Sequence, residues 1–254
     1  MIYFINKFAT KVTISYRIGK ECAAAILINV AITGITSLFP TWKLYFIHCK
    51  GNSIFALQHW QMFEVLFQKL DEKIDLTEEE RQLCKSFFTP KKLRKRQYIL
   101  QEGDVCKYIA FVEKGMLRSY TIDDKGNEHI MQFAFEGWWI SDQFSFLTGD
   151  PAIYNIDALE DSELLLLSKQ AEEQLLQKIP KFERYFRLLL QNNLIATQRR
   201  LISSHSQTAE ERYQQLIDGC PTIPQRVPQH MMASFLGITP ETLSRIRKQM
   251  IAKN

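Results

Sequence analysis

The chain has 254 residues, 46% of them hydrophobic, and a formal net charge of +4 at pH 7. This length fits one large domain or two smaller ones, and the apolar content is sufficient for well-formed cores. The five cysteines include no Cys-x-x-Cys pair and their number is odd, which argues against a disulfide framework, a zinc site or an iron–sulfur site. The expected location is a reducing cytoplasm.

The first 61 residues differ in composition from the rest. Residues 22–42 contain no charged side chain, and four lysines and arginines precede them. Such a stretch is long enough for a marginal membrane span or an over-long signal sequence, although Thr, Asn and Gly dilute its apolarity. A third interpretation is a translated leader ahead of a native start at Met62, and the well-patterned chain that begins abruptly there favours it.

Two helices are predicted directly after Met62. Phe63, Leu66 and Leu70 recur at helical spacing in residues 62–89. A second helix begins after Thr77, which has the spacing of a capping box with Glu80.

The hydrophobic period changes to two between Lys91 and about Ser168. The candidate strands are Arg94–Leu100, Tyr108–Glu113, Leu117–Ile122, Glu128–Phe135, Tyr154–Leu159 and Glu163–Leu167. Turn signals separate them, among them Gly103, Gly115 and Gly137. Short strands at regular intervals predict an antiparallel barrel or jelly roll of fewer than about 90 residues.

A long helix is predicted from about Lys181 to Ser204, spanning roughly 36 Å. Its apolar positions follow the 4-3-4-3 spacing of a coiled coil: Phe182, Phe186, Leu189, Asn193 and Ala196. We expect a dimer helix here, with Asn193 as a polar residue that sets the register. The alternative is a helix packed wholly on its own barrel. A further helix follows from Ala209 to about Asp218, capped by Thr208.

The last 28 residues read as helix, tight turn, helix. Pro228 suits the first turn of a helix, and Gly237 suits the end of one. Thr239 is a good N-cap, with Pro240 as the first residue of the second helix.

The second of these helices has two distinct faces. Leu243, Ile246 and Met250 fall on one side, and an acid, a hydroxyl and two cations fall on the other. Such a helix fits the DNA major groove, where Arg bridges guanine O6 and N7 and Glu accepts from cytosine N4. The candidate DNA-binding residues are Thr239, Glu241, Thr242, Ser244, Arg245, Arg247 and Lys248. The alternative is an ordinary helical hairpin whose polar face meets water.

A β roll, a dimer helix and a C-terminal helix-turn-helix, in that order, resemble the cyclic-AMP receptor protein and fumarate–nitrate regulator (Crp/Fnr) family of bacterial transcription factors. The resemblance covers Met62 to Asn254 and is most specific at Gly237-Ile-Thr-Pro-Glu-Thr-Leu-Ser-Arg245. It implies an α+β chain with a cyclic-nucleotide-binding-like jelly roll over residues 62–180, a dimerisation helix over 181–204 and a DNA-binding domain over 205–254.

The resemblance also implies a function. The chain is expected to be a homodimeric, sequence-specific transcription regulator and not an enzyme, with double-stranded DNA, a second copy and RNA polymerase as partners. Glu241, Ser244 and Arg245 would read the bases. Pro240 stands where the family often has another polar residue, so the half-site sequence stays open.

The resemblance does not imply which effector the chain binds. Cyclic-nucleotide members use an arginine to hold the cyclic phosphate, and this chain has no arginine from Ser119 to Ile179. Cyclic AMP binding is therefore not expected, no cofactor is predicted, and the effector is unknown. Aromatic residues could line an apolar pocket in the roll or simply form its core: Trp138, Trp139, Phe144, Phe146 and Tyr154.

Two other functional classes remain as alternatives. A membrane-tethered sensor would use residues 22–42 as an anchor and keep the DNA-binding end. A cupin-like metalloenzyme would need paired histidines and a carboxylate in the barrel, where His129 is the only histidine. No catalytic residue and no metal ligand is predicted.

Overall fold

A computed structural model of the chain describes residues 62–253. The predictions made for residues 1–61 lie outside this range. In the described part, no helix combines the length and the apolarity that crossing a bilayer requires.

Residues 62–253 form an α+β structure. The helices are α1 (Glu64–Asp71), α2 (Glu78–Lys85), α3 (Gln143–Thr148), α4 (Lys169–Lys178), α5 (Lys181–Ser206), α6 (Ala209–Gly219), α7 (Ile223–Arg226), α8 (Gln229–Leu236) and α9 (Pro240–Lys253). The strands are β1 (Thr89–Leu93), β2 (Tyr98–Leu100), β3 (Tyr108–Lys114), β4 (Leu117–Ile122), β5 (Glu128–Ala134), β6 (Trp139–Ile140), β7 (Asn155–Ala158) and β8 (Ser162–Ser168).

The strands make two four-stranded antiparallel sheets. Their orders are β1-β8-β3-β6 and β2-β7-β4-β5. The inward residues of both sheets contribute to one hydrophobic cluster that also includes the buried sides of α1, α2 and the first turns of α5. The predicted antiparallel roll is thus confirmed. Helices that precede and follow the strands in the sequence pack against its core.

Four elements of the roll differ from the sequence prediction. The strand predicted from Arg94 starts only at Tyr98, because residues 94–97 form a turn in which the Gln97 N–H donates to the Arg94 carbonyl at 3.0 Å. The unpredicted strand β1 has a largely polar sequence and is a strand through its pairing with β8. The unpredicted elements β6 and α3 are too short to show a period.

Local signals set the helix boundaries well. The Thr77 capping box is formed, with reciprocal bonds between its hydroxyl and the Glu80 amide and between the Glu80 carboxylate and the Thr77 amide. Thr208 and Glu211 form a second capping box at the start of α6. Gly115 joins β3 to β4 at φ +91°, where a Cβ would lie 2.3 Å from Ser162 Oγ.

Candidate nucleic-acid interface

Helices α8 and α9 are joined by the three residues Gly237–Thr239. Gly237 ends α8 in the left-handed region at φ +66°, and the Ile238 N–H returns to the Ala233 carbonyl at 3.0 Å. The Thr239 hydroxyl accepts the Thr242 N–H at 3.2 Å, which caps α9. The Gln229 side chain donates to the Pro240 carbonyl at 2.8 Å and so ties the start of one helix to the start of the other.

Helix α9 presents one buried and one exposed face. Leu243 and Ile246 are buried, at 0% and 5% exposure. Glu241, Arg245 and Lys248 are exposed on the other side. The remaining candidates surround this exposed face: Thr239 is exposed, and Thr242, Ser244 and Arg247 are half-buried. The seven predicted residues therefore lie together along α9 and its cap.

The charges on this face are available to a ligand. Backbone and Thr239 hydroxyl hydrogen bonds at the helix start lower the pKa of Glu241, so that its carboxylate is an acceptor at neutral pH. Arg245 and Lys248 form no ion pair with any residue in the described part of the chain. A cationic, donor-rich surface with one anionic acceptor is suited to phosphates and base edges.

The helices α6 to α9 share a core with the outer face of the β4–β5 hairpin. Met232, Leu236 and Leu243 lie in the same cluster of buried side chains as Ile130 and Phe133 of β5. Sequence reasoning missed this contact, because nothing local in either segment indicates a partner some 100 residues away.

Hydrogen bonds and ion pairs complete the attachment. Strand β5 is an edge strand, and Ser234 of α8 occupies its open edge: its hydroxyl donates to the Glu128 carbonyl at 2.8 Å and accepts the Ile130 N–H at 3.0 Å. Arg226, just before α8, makes two hydrogen bonds to each of the carboxylates of Glu136 and Glu160, at 2.7–3.1 Å. Burial raises the pKa of Glu136, but the Arg226 hydrogen bonds outweigh it and the pKa lies below its usual value.

The dimer-helix prediction needs correction at its first positions. Phe182 and Phe186 are 0% and 9% exposed, and Leu189 packs against the same core. These residues face their own roll, because the aromatic side chains fill the space beside Trp139. Asn193 and Ala196 are exposed, since α5 continues beyond the roll.

A different stripe of α5 is apolar and exposed. It consists of Leu190, Leu194, Ile195, Leu201 and Ile202, which are 46–64% exposed. Leu194 and Leu201, like Ile195 and Ile202, are seven residues apart, the spacing of a coiled coil. At 100° per residue, Asn193 lies about a quarter turn from Leu194, on the side that faces the roll further up the helix. We refer to these five residues as the exposed apolar stripe.

The aromatic residues suggested for an effector pocket differ in their surroundings. Trp139 is part of the core, with ring contacts to Phe88, Phe111 and Phe186. Trp138 and Phe144 are 51% and 55% exposed, and Tyr154 packs at the edge of the core. A cavity of about 280 Å³ lies elsewhere in the roll, lined by other residues that include Leu100, Cys106, Tyr108 and Ile140.

Backbone N–H groups in the segment between β6 and β7 are hydrogen-bonded within the segment itself. The buried Asp142 carboxylate accepts the Ser145 N–H at 3.0 Å, which caps α3, and the Ile153 N–H at 2.9 Å. Arg118 is the arginine in the sheets, and its guanidinium is hydrogen-bonded to Asp157 and Glu128. The segment between β6 and β7 contains no cation, and the Arg118 guanidinium is already engaged, so neither is available to a cyclic phosphate.

Metal-binding groups are not gathered anywhere in residues 62–253: no cluster of three or more His, Cys, Asp or Glu side chains has the required proximity. His129 is exposed and lies 3.0 Å from the Asp123 carboxylate.

Comparison with known proteins adds three findings. The family profile for the cyclic nucleotide-binding domain matches residues 90–179, which comprise the roll from β1 to α4. The fumarate and nitrate reduction regulatory protein of Vibrio cholerae is 26% identical over 211 residues, covering 79% of each chain. The regulatory protein HlyX of Actinobacillus pleuropneumoniae is 27% identical over 173 residues, covering 61% of this chain and 69% of its own. The chain is therefore similar to bacterial regulatory proteins over most of its length, and its roll matches the cyclic nucleotide-binding domain.

Solved structures agree with this fold. FixK2 from Bradyrhizobium japonicum superposes with a TM-score of 0.56 at 19% identity, covering 65% of this chain and 85% of its own. The global regulator CLP of Xanthomonas campestris also gives 0.56, at 16% identity, covering 68% and 90%.

Proposed function

We propose that this chain is a homodimeric, sequence-specific DNA-binding regulator of the Crp/Fnr type whose α9 enters the major groove. The observation that carries the proposal is the orientation of α9. Its apolar side is packed against α8 and α6, while Glu241, Arg245 and Lys248 remain exposed and unneutralised by other described side chains. A contact with RNA polymerase, implied by the family resemblance, belongs to the same proposal.

The dimer would form through the exposed apolar stripe of α5. Leu190, Leu194 and Leu201 together with two isoleucines are too apolar and too exposed for a helix that only meets water. Two copies joined along α5 would present two α9 helices. If these lie about 34 Å apart, they read half-sites in successive major grooves, which predicts a palindromic DNA site.

The roll would not respond to a cyclic nucleotide. Arg118, the arginine within its strands, is already bonded to two carboxylates, and Asp142 supplies an internal acceptor for the amide groups around α3. A cyclic phosphate would therefore find a carboxylate and no bidentate donor. The 280 Å³ cavity is lined by both apolar and polar side chains and is a candidate for a different small effector.

The proposal is tested by selecting bound duplexes from a random pool with the purified full chain. We expect a palindromic site bound with a steep loss of affinity as salt rises. Arg245→Ala should weaken binding to that site by about 1–3 kcal/mol and relax base preference at one position in each half-site.

Lys248→Ala is the matched control, because a lysine that contacts phosphate weakens all sequences alike. A pool that yields no enriched sequence refutes the function. An Arg245→Ala chain that keeps the full base preference refutes the assigned role of that residue.

A further inference from the structure

Glu113 of β3 caps the start of α1 from a different part of the fold. Phe63 occupies the N-cap position of α1 and its side chain makes no capping hydrogen bond. The N–H groups that an N-cap side chain normally accepts belong to Val65 and Leu66, and they donate to the Glu113 carboxyl group at 3.1 and 2.8 Å. Glu113 and Leu66 are 47 residues apart, so this cap attaches α1 to the roll.

A β-bulge directs the Glu113 side chain. Val112 pairs with Leu164 of β8, and Lys114 pairs with Glu163. Glu113 lies between the two pairs as the extra residue of β3. Bulges re-aim a side chain and are frequent beside functional sites. The orientation of the carboxyl group toward α1 is therefore fixed by the strand.

The surroundings of Glu113 disfavour a negative charge. The residue is 6% exposed, and its carboxyl group forms no ion pair within the described residues. The charged groups that face it are two other acids, Glu64 at the start of α1 and Glu163 of β8, and Glu163 is paired with Lys92 at 3.1 Å. Strand β6, on the other side of β3, has no titratable residue. Burial accordingly raises the pKa of Glu113 to about 7.

A row of aromatic rings connects the start of α1 with the start of α5. Phe63 contacts Phe88, Phe88 contacts Trp139, and Trp139 contacts Phe186 of α5, with ring centroids 5.7–6.2 Å apart. The Trp139 indole also donates to the Tyr185 hydroxyl at 3.0 Å. Because Phe63 directly precedes α1, it leaves this row when the helix moves away from the sheet. The first turns of α5 then lose part of their support.

We propose that α1 is a pH-sensitive latch on the start of α5, which is closed while the Glu113 carboxyl group is protonated and opens locally when that group ionises. A protonated carboxyl group still accepts an N–H from α1 and carries no charge for burial to penalise. An ionised one is stabilised by water, which reaches it when α1 leaves the sheet. Acidification therefore tightens the attachment of the helix that carries the exposed apolar stripe.

The pH window follows from the two environments of Glu113. In the closed latch its pKa is about 7, and in the open, hydrated state it returns to the ordinary value of 4.5. The equilibrium constant for opening should therefore rise with pH between these two values and level off above them. From pH 5.5 to pH 7.5 the rise amounts to about twentyfold.

Amide hydrogen exchange of the full chain between pH 5.5 and pH 7.5 tests the latch, after correction for the intrinsic pH dependence of exchange. The variant is Glu113→Gln, which keeps an acceptor for the α1 amides but does not ionise. Glu72→Gln is the matched control, because it makes the same change at an exposed position at the other end of α1.

We expect the opening constant of amides in α1 and in residues 185–188 of α5 to rise about twentyfold over this range in the unaltered chain and in Glu72→Gln. In Glu113→Gln it should stay constant within about twofold. At pH 7.5 the α1 amides of the unaltered chain should open at least about tenfold more often than those of β8. They should also respond less to urea below about 1 M, since a local opening exposes little surface.

Two results overturn the inference. One is a pH dependence of α1 opening that is the same in Glu113→Gln as in the unaltered chain. The other is an α1 that exchanges with the opening constant and urea response of β8, because α1 then opens only when the roll unfolds. This second comparison uses the unaltered chain alone, so it decides the matter even if Glu113→Gln does not fold. Neither readout involves DNA, so a failure of the proposed function leaves the test unaffected.

Discussion

Glu113 is a buried carboxyl group that forms no ion pair with a cation among residues 62–253. It is 6% exposed on β3, and the Val65 and Leu66 N–H groups at the start of α1 donate to its oxygens at 3.1 and 2.8 Å. Burial raises its pKa to about 7, even though the two N–H donors favour the ionised form. The site therefore joins α1 to the roll through an acid that titrates near neutrality.

This raised pKa makes stability depend on pH. Between about pH 4.5 and pH 7 the unfolded chain has released the Glu113 proton while the folded chain retains it, so the free energy of unfolding should fall as pH rises through this window, by at most about 3 kcal/mol. Urea titrations of the unaltered chain and of Glu113→Gln at several pH values measure it. The difference between the two should shrink from pH 7 to pH 4.5. A difference that is constant with pH would contradict the pKa shift.

Helix α5 has one apolar surface that packs on the roll and another that is exposed. Its first turns pack Phe182, Tyr185 and Phe186 into the roll, and the Trp139 indole donates to the Tyr185 hydroxyl at 3.0 Å. Beyond the roll the exposed apolar stripe faces away from that contact. A 26-residue helix of about 39 Å is long enough for both tasks, because the hydrophobic core of the roll covers only its beginning.

The position of the stripe predicts which substitutions break a dimer. Leu194→Glu with Leu201→Glu places charges in the interface that we propose, so sedimentation or light scattering should report a monomer at micromolar concentration. Asn193→Glu with Ala196→Glu adds the same charges on the side predicted from the 4-3-4-3 spacing and should leave the dimer intact. If the Asn193 and Ala196 substitutions break the dimer and the Leu194 and Leu201 substitutions do not, the interface follows the 4-3-4-3 spacing and not the exposed apolar stripe.

The C-terminal helices are joined to the roll by contacts between residues that are far apart in the sequence. Ser234 fills the open edge of β5, Arg226 bridges Glu136 and Glu160, and the Arg200 guanidinium lies over the Phe235 ring at 5.3 Å. Together these contacts set the orientation of α9 relative to the sheets. A change in the roll is thereby able to reach the surface that we propose for DNA.

Removing the Arg226 bridge should loosen α8 and α9 selectively. Arg226→Gln leaves two partly buried carboxylates without their cation, which costs about 1–3 kcal/mol. Hydrogen exchange should show faster exchange of amides in α8 and α9, with those of β3 and β8 unchanged. Arg199→Gln, on the exposed side of α5, serves as the control. Unchanged protection in α8 and α9 would mean that the apolar cluster alone holds the contact.

Much of this arrangement is determined by short stretches of sequence. The capping boxes at Thr77 and Thr208, the left-handed Gly237 and the two faces of α9 follow from residues at most a few positions apart, so helical period and cap chemistry suffice to predict them. The central strands β3, β4 and β5 were predictable for the same reason, since their alternation is local.

The tertiary structure decided the rest. The polar residues of β1 form a strand because β8 offers them a partner, and the aromatic residues proposed for a pocket became core or surface according to what surrounds them. The sequence of α5 contains two apolar stripes, and only the position of the roll determines which one is covered. Arg226 and Ser234 gained their roles from partners about 66 to 106 residues away. Sequence periodicity identifies a face that can be buried, but the element that buries it is selected by long-range packing, which no local pattern encodes.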